Sequence, residues 1–202
     1  MAKDKDSVKE LLISTATDLF SKTGYLDTSI REIGEAARVH PSLVYHYFKN
    51  KEHILYTIIE RFSIYLINSL QEIQTKEADP VEGLRKMILR HLHLSHEFKK
   101  EVMITLREVE LLKTRQKSEV MSFQRRIYNL YLDQLKKLER LNLLKQGNLT
   151  VITFSIFGVI NWFYRWYKED RDLDNDQIAD QVVKNVFWGI LNSNGISEGV
   201  KV

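Results

Sequence analysis

Hydroxyl, phenol, imidazole and ammonium groups are concentrated between residues 28 and 51 of this chain. Pro41 in this stretch predicts the first position of a short helix, because its fixed φ is already helical and its missing N–H needs no partner there. On the outer side of that helix we expect Ser42, Tyr45 and His46. These groups bond to base edges and phosphate oxygens, and the second helix of a helix-turn-helix presents them to the major groove. The stretch therefore predicts contact with double-stranded DNA.

The flanking residues match the other parts of a helix-turn-helix. Thr28, Ser29 and Arg31 would begin the preceding helix, where side chains meet the DNA backbone, and Lys49 and Lys51 would hold phosphates beyond the short helix. The predicted DNA-contacting residues are Thr28, Ser29, Arg31, Arg38, His40, Pro41, Ser42, Tyr45, His46, Lys49 and Lys51. The alternative is two helices that merely pack together.

The turn between the two helices falls at residues 38–40. His40 stands at the capping position, where it is expected to be a poor cap because serine, threonine, aspartate and asparagine are the preferred residues. The turn geometry is therefore the least regular part of the motif.

This run resembles the DNA-binding head of the TetR family of bacterial regulators. The matching residues are Gly24, Tyr25, Thr28, Ser29, Ile30, Ile33, Ala36, Ala37, Val39, Pro41, Tyr45, His46, Tyr47, Phe48, Lys51 and Glu52. Arg38 and Ser42 stand where the family commonly has glycine, and His40 where it commonly has a capping serine. The resemblance therefore implies that Arg38 adopts a left-handed backbone conformation, at a cost that glycine would not incur. The resemblance implies an all-α fold, with an N-terminal helix-turn-helix head and a C-terminal ligand-binding and dimerisation body. It also implies a repressor that leaves a palindromic operator when a small molecule binds.

Charge does not support DNA binding on its own. The chain has a net charge of +3, but residues 1–52 carry eight Lys/Arg and eight Asp/Glu. A DNA-binding domain usually shows a basic patch, so any such patch here must be local. The alternative function is a small-molecule-binding or helical interaction protein whose head does not bind DNA.

Helical periodicity predicts about nine helices and no strand. Ser7 with Glu10 would cap the first helix, Gly24 would end it, and Ser29 with Glu32 would cap the second. The later helices are expected at residues 41–48, 51–73, 80–96, 99–112, 116–141, 149–168 and 175–193. We expect residues 1–52 to form the DNA-binding domain and residues 53–202 the ligand-binding and dimerisation domain.

Polar and aromatic residues on apolar helix faces of the body suggest a ligand pocket. They are Arg107, Glu108, Gln124, Tyr128, Asn161, Trp162 and Trp166. Residues 161–167 resemble the TetR subgroup that responds to fatty acids or acyl-CoA, although aromatic residues at helical spacing are also common in plain cores. The helices at 149–168 and 175–193 would pair with their copies in a homodimer, or else close the core of one chain.

Several functions find no support in the sequence. With no cysteine, the chain has no disulfide or thiolate metal site, which suits the cytoplasm. Polar residues interrupt its longest uncharged run, so a membrane span is not expected. His93 and His96 share a helix face but lack a third ligand at motif spacing, so they and His91 are expected to line a pocket or face solvent. No residues suggest catalysis, and no cofactor is predicted.

Overall fold

The computed structural model describes residues 2–166 and 174–199, and within them the fold is all-α, as predicted. The helices are α1 (Ala2–Thr23), α2 (Ile30–Ala36), α3 (Pro41–Tyr47), α4 (Lys51–Lys76), α5 (Pro80–Glu97), α6 (Lys99–Glu108), α7 (Thr114–Arg140), α8 (Leu149–Trp166), α9 (Asn175–Ile190) and α10 (Ser193–Gly199). A 3₁₀ turn, Val109–Leu111, follows α6. Extended pairing in the described part is limited to one isolated bridge between Leu144 and Leu191.

The chain divides into two compact units. The first comprises the described residues of Met1–Ser63 and Lys100–Ser122, and the second those of Ile64–Lys99 and Phe123–Val202. The division by compactness therefore falls inside α4, after Ser63, whereas the predicted functional boundary lies after residue 52.

The first unit is built on one apolar core. Leu12, Ala16 and Phe20 recur at four-residue spacing on α1 and are fully buried, together with Ile33 of α2 and Val44 of α3. Burial of an aliphatic or aromatic side chain contributes about 1.5–3 kcal/mol, so this stripe is what holds the short helices in place. The orientation of α3 thus depends on packing more than on its own helix propensity.

Of the two predicted ends of α1, the C-terminal one is confirmed and the N-terminal one is wrong. Gly24 ends the helix as expected, with φ +98° and its N–H donating to the Phe20 carbonyl at 3.1 Å. The predicted start at a Ser7–Glu10 capping box is wrong, because α1 begins at Ala2 and Ser7 lies inside it. A serine with glutamate three residues later also occurs within helices, where no N–H is left to cap.

The second unit packs α5 against α8 and α9. Its core includes Tyr131, Leu135 and Leu138 of α7 and Phe163 of α8, all fully buried. At its surface, an Arg85 guanidinium nitrogen of α5 lies 2.7 Å from the Asp180 carboxylate of α9. The pairing of α8 and α9 with α5 leaves the opposite side of α8 uncovered.

The helix ranges predicted from the sequence did not include α10. The chain leaves α9 at Leu191, whose ψ of 145° is extended, and restarts at Ser193. Asn192 caps the new helix, since its Oδ1 accepts the Gly195 N–H at 3.0 Å. The sequence does contain a signal for this helix start, namely an asparagine directly before a short polar segment.

Within the described residues, no helix is both long and apolar enough to cross a lipid bilayer.

Candidate nucleic-acid interface

The α2 helix begins in the predicted capping box. Ser29 Oγ accepts the Glu32 N–H at 3.2 Å, and Glu32 Oε2 accepts the Ser29 N–H at 2.6 Å. Hydrogen bonds from the Ser29 hydroxyl and backbone lower the pKa of Glu32 below its usual value. The start of α2 is therefore well defined, and Ser29 and Arg31 are exposed there.

The turn between α2 and α3 adopts the predicted left-handed conformation at Arg38, with φ 57°. The Val39 N–H donates to the Gly34 carbonyl at 2.9 Å and closes the turn. A Cβ on Gly34 would lie 3.1 Å from the Val39 carbonyl oxygen, so the turn is tight enough to favour glycine at position 34. The Arg38 side chain points into solvent.

The capping residue of α3 is His40, and the expectation that it caps poorly is wrong. Its Nδ1 accepts the Ser42 N–H at 3.3 Å and lies 2.7 Å from Ser42 Oγ. Imidazole nitrogen replaces the hydroxyl or carboxylate oxygen that usually caps a helix. Pro41 occupies the first helical position, as predicted.

The outer side of α3 is open to solvent. Ser42, Tyr45 and His46 are exposed, with Tyr45 at 58% of its full accessible surface, while Val44 on the inner side is fully buried. Tyr47 is half-buried, and its ring meets that of His46 edge to face at 5.1 Å. A two-turn helix with one buried anchor thus presents a phenol, an imidazole and a hydroxyl together.

Two of the predicted DNA contacts have other partners in the structure. Lys51 Nζ donates to the carbonyl oxygens of Tyr25 at 2.7 Å, Leu26 at 3.2 Å and Thr28 at 2.7 Å. Since an ammonium has three protons, this set leaves none for a phosphate. The Thr28 hydroxyl is buried and donates to the Gly24 carbonyl at 2.8 Å. Both residues hold the turn between α1 and α2.

The other positively charged residues predicted to contact DNA differ in whether they form an ion pair within the protein. Arg31 pairs with Glu35 at 2.8 Å on the exposed side of α2. Among the described residues, no ion pair engages Arg38 or Lys49, and both side chains are exposed. The cations available to phosphate on this face are therefore few.

The predicted ligand residues do not come together in one compact unit. Arg107 and Glu108 belong to the first unit, where their side chains lie 3.3 Å apart and Glu108 is buried. The second unit holds Gln124, Tyr128, Asn161 and Trp162, and the side chain of Trp166 lies outside the described residues.

The members of that set in the second unit have identifiable surroundings. The Tyr128 hydroxyl lies 3.0 Å from Thr150 Oγ1, and its ring meets that of Phe154 at 5.6 Å. Trp162 is 57% exposed, with the Arg165 guanidinium 5.0 Å from its ring centroid. Trp162 therefore lies on an outer face rather than inside the helical core.

His91 was expected to line a pocket or face solvent, but it is buried. Its Nδ1 lies 3.2 Å from the Tyr131 hydroxyl, which itself donates to the Met87 carbonyl at 3.1 Å. Burial lowers the pKa of His91 to about 4, so the imidazole is neutral near pH 7. Elsewhere on α5, His93 Nε2 lies 3.0 Å from Asp176 Oδ1. Among the described residues, no group of three side chains could hold a metal ion.

Comparison with known proteins agrees with this geometry over most of the chain. Residues 12–57 match the family model described as bacterial regulatory proteins, tetR family. Residues 77–190 match that of the tetracyclin repressor-like C-terminal domain.

Three relatives illustrate the similarity. The chain is 23% identical to the HTH-type transcriptional repressor KstR2 of Mycolicibacterium smegmatis, over 94% of this chain and 93% of that protein. It is 24% identical to the fatty acid metabolism regulator protein of Bacillus subtilis, over 90% of this chain and 94% of that protein. AibR, whose crystal structure was determined in complex with isovaleryl coenzyme A and operator DNA, is 29% identical to this chain in sequence. The two structures superpose with a TM-score of 0.81, over 89% of this chain and 97% of that one.

The capped helices, the left-handed turn and the exposed side of α3 define a helix-turn-helix protein of the DNA-binding class. The chain belongs to the TetR family of bacterial regulators. It is a ligand-responsive DNA-binding transcriptional regulator and not an enzyme.

Proposed function

We propose that this protein is a homodimeric repressor that leaves a palindromic operator when a small apolar or acyl-CoA-like effector binds. The observation that carries the proposal is the exposed side of α3, where Ser42, Tyr45 and His46 project from a helix anchored by buried Val44. We assign DNA binding to residues 1–52 and effector binding and dimerisation to residues 53–202, in a protein that acts in the cytoplasm.

Base and phosphate contacts are divided between side chains of different chemistry. Ser42, Tyr45 and His46 would touch bases in the major groove, because they lie on the outer side of α3. The residues proposed to touch phosphates and the groove edge are Ser29, Arg31, Arg38, Pro41 and Lys49. Thr28 and Lys51 would act indirectly, by holding the turn that precedes α2, and His40 would act indirectly by capping α3.

The outer face of α8 supports the homodimer. Its exposed residues recur at helical spacing and are mostly apolar or small: Val151, Phe154, Ser155, Gly158, Val159, Trp162 and Arg165. A Cβ on Gly158 or on Gly189 of α9 would meet no atom within 4 Å, so a second helix could approach both positions closely. Contiguous exposed apolar surface of this kind marks a protein interface. We therefore propose that α8 and α9 pair with their copies in a four-helix bundle.

The dimer provides the geometry that palindromic DNA requires. Two recognition helices must enter successive major grooves about 34 Å apart, which one chain alone does not provide. An effector that binds better to a form with the two heads at another spacing would shift the population away from DNA. The shift is limited to the difference in its affinity for the two forms.

Acyl-CoA thioesters are the effector class we favour. AibR has been crystallised with isovaleryl coenzyme A, and a fatty acid metabolism regulator is among the relatives. Of the predicted ligand residues, we propose Gln124, Tyr128 and Asn161 as contacts, because they are half-buried in the second unit. Arg107, Glu108, Trp162 and Trp166 remain predictions.

A direct titration tests the proposal. Fluorescence anisotropy with a labelled duplex from upstream of the protein's own coding region should show saturable binding at low salt. Isovaleryl-CoA or a longer acyl-CoA should then release the DNA, whereas free coenzyme A should not. Absence of binding to every upstream duplex would refute the repressor proposal, and DNA binding that no acyl-CoA reverses would refute the effector class.

A further inference from the structure

We propose that His40 and His53 are positioning residues that fix the two ends of α3 through the unprotonated Nδ1 of each imidazole. The inference rests on the proposed function, because the helix that they position is the one assigned to the major groove. Neither residue needs to touch DNA for this role. It requires only that each ring accept a backbone N–H at Nδ1.

The first end is held by His40. Pro41 has no N–H, so the first donor of α3 that needs a partner belongs to Ser42, and it points at His40 Nδ1 at 3.3 Å. The next donor, the Leu43 N–H, is taken by the His40 carbonyl at 2.9 Å. The same Nδ1 lies 2.7 Å from Ser42 Oγ, and we assign the Ser42 hydroxyl as the donor. A ring nitrogen accepts hydrogen bonds only through its lone pair, so we place the proton of His40 on Nε2. One residue thus satisfies both of these backbone donors.

The second end is held by His53, which lies in the first turn of α4. Its Nδ1 accepts the Lys49 N–H at 3.3 Å, while its own N–H donates to Asn50 Oδ1 at 2.8 Å. The arrangement resembles a capping box, except that the imidazole accepts the N–H of Lys49 and not that of Asn50. The imidazole also meets the ring of buried Phe48 edge to face at 5.7 Å. The three residues between α3 and α4 are therefore tied to the start of α4 by one imidazole.

These end contacts control what α3 can present. The helix has seven residues, and an isolated helix of that length is not stable in water. Inside the first unit α3 is held by fully buried Val44 and by Tyr47, which is partly buried against the same core. Contacts at both ends add to this packing and hold Ser42, Tyr45 and His46 in one orientation. Binding at two heads of a dimer would depend on this orientation twice.

Two isosteric substitutions separate the role of Nδ1 from that of Nε2. Asparagine places an amide oxygen near the position of Nδ1, and asparagine is among the best capping residues. Glutamine places its amide near Nε2 and leaves the backbone N–H without its acceptor. We therefore compare His40→Asn with His40→Gln, and His53→Asn with His53→Gln, in the full-length protein. His93→Asn and His93→Gln on α5 are the matched controls.

The readout is DNA affinity, measured by anisotropy with the upstream duplex. Loss of a cap costs about 1 kcal/mol, equivalent to about fivefold per head and about 25-fold for a dimer. Each Gln variant of His40 or His53 should bind the duplex about 5-fold to 25-fold more weakly than wild type. Each Asn variant keeps the acceptor and should bind within about twofold of wild type. Both His93 variants should bind as wild type does. Gln variants that bind like wild type, or Asn variants as weak as their Gln partners, would overturn the proposal. So would tighter binding by Gln than by Asn, which would indicate direct contact through Nε2.

A second measurement does not depend on DNA or on the stability of a variant. Long-range ¹H–¹⁵N spectra of the imidazoles distinguish a protonated from an unprotonated ring nitrogen. In the wild-type protein, His40 and His53 should both show the proton on Nε2 and an unprotonated Nδ1 that accepts a hydrogen bond. A proton on Nδ1 of either ring would refute the inference even if DNA binding were intact. Absence of DNA binding by wild type would instead refute the proposed function.

Discussion

Truncation of Phe154 to alanine should weaken the proposed homodimer strongly. Phe154 is 60% exposed at the centre of the apolar face of α8. An aromatic side chain offers about 200 Å² of surface, so about 120 Å² remains to be buried against a partner. At about 25 cal/mol per Å², this burial is worth about 3 kcal/mol per copy, and about 6 kcal/mol for the two copies in a dimer.

The measured effect should be smaller than that upper value, because interface area converts incompletely to affinity. A loss of about half the total still raises the dimer dissociation constant by at least about 100-fold. Sedimentation velocity over a range of protein concentrations measures this constant directly. Leu141→Ala is the matched control, because Leu141 is 57% exposed in the second unit but follows α7 rather than lying on α8.

The outcome discriminates between an interface and an ordinary surface residue. Phe154 also contacts the rings of Tyr128 and Phe157, so its truncation lowers the stability of the monomer as well. Val151→Asp avoids that cost, since Val151 is 63% exposed, and it places a like charge opposite its copy. Unchanged dimerisation in both variants, with a normal circular dichroism spectrum, would refute the assignment of α8 to the interface.

Three further predictions concern the two units. Lys51→Met should destabilise the first unit by about 2 kcal/mol, because three charge-assisted hydrogen bonds to carbonyls are lost, and should leave the salt dependence of DNA binding unchanged. Lys49→Met should instead lower the slope of log affinity against log salt by about 1, and a reversed pattern would restore Lys51 as a phosphate ligand. Burial holds the pKa of His91 near 4 in the folded protein, whereas an unperturbed histidine has a pKa of about 6.5. Between these two values only the unfolded chain binds the proton, so the free energy of unfolding should drop by about 3 kcal/mol as the pH falls to 4. His91→Leu should abolish that part of the pH dependence in urea unfolding, and an identical pH profile would contradict the burial of a neutral imidazole.

Local signals were read correctly where neighbours in sequence determine the structure. The Ser29–Glu32 capping box and the helical start at Pro41 each involve residues within four positions of one another. Their physical causes act over one turn of backbone, so residue type and spacing were enough to predict them.

Contacts between distant parts of the chain were not predictable in the same way. Lys51 was expected to bind phosphate, but its ammonium reaches carbonyls 23 to 26 residues earlier. Likewise, Arg107 and Glu108 belong to the first compact unit, although the predicted pocket groups them with Tyr128 and later residues. Charge and polarity identify a side chain that needs partners, but the tertiary fold decides which partners it finds.

His40 shows a third kind of limit. Its capping role is local and is predictable in principle, since Nδ1 lies three bonds from Cα, as the asparagine Oδ1 does. The sequence predicts a poor cap here only because statistical preferences for capping residues do not include imidazole. The lone pair of a neutral histidine satisfies a helix N–H by the same geometry, so chemical function was the better guide than frequency.

The central claim is that the exposed side of α3 reads DNA, and Tyr45→Ala tests it most directly. Tyr45 is 58% exposed and is not part of the buried core, so the variant should fold and have the same melting temperature as wild type. In an anisotropy titration it should bind the upstream duplex at least about tenfold more weakly, while its weak binding to unrelated duplex persists. Equal affinity of wild type and Tyr45→Ala for the upstream duplex would contradict the account.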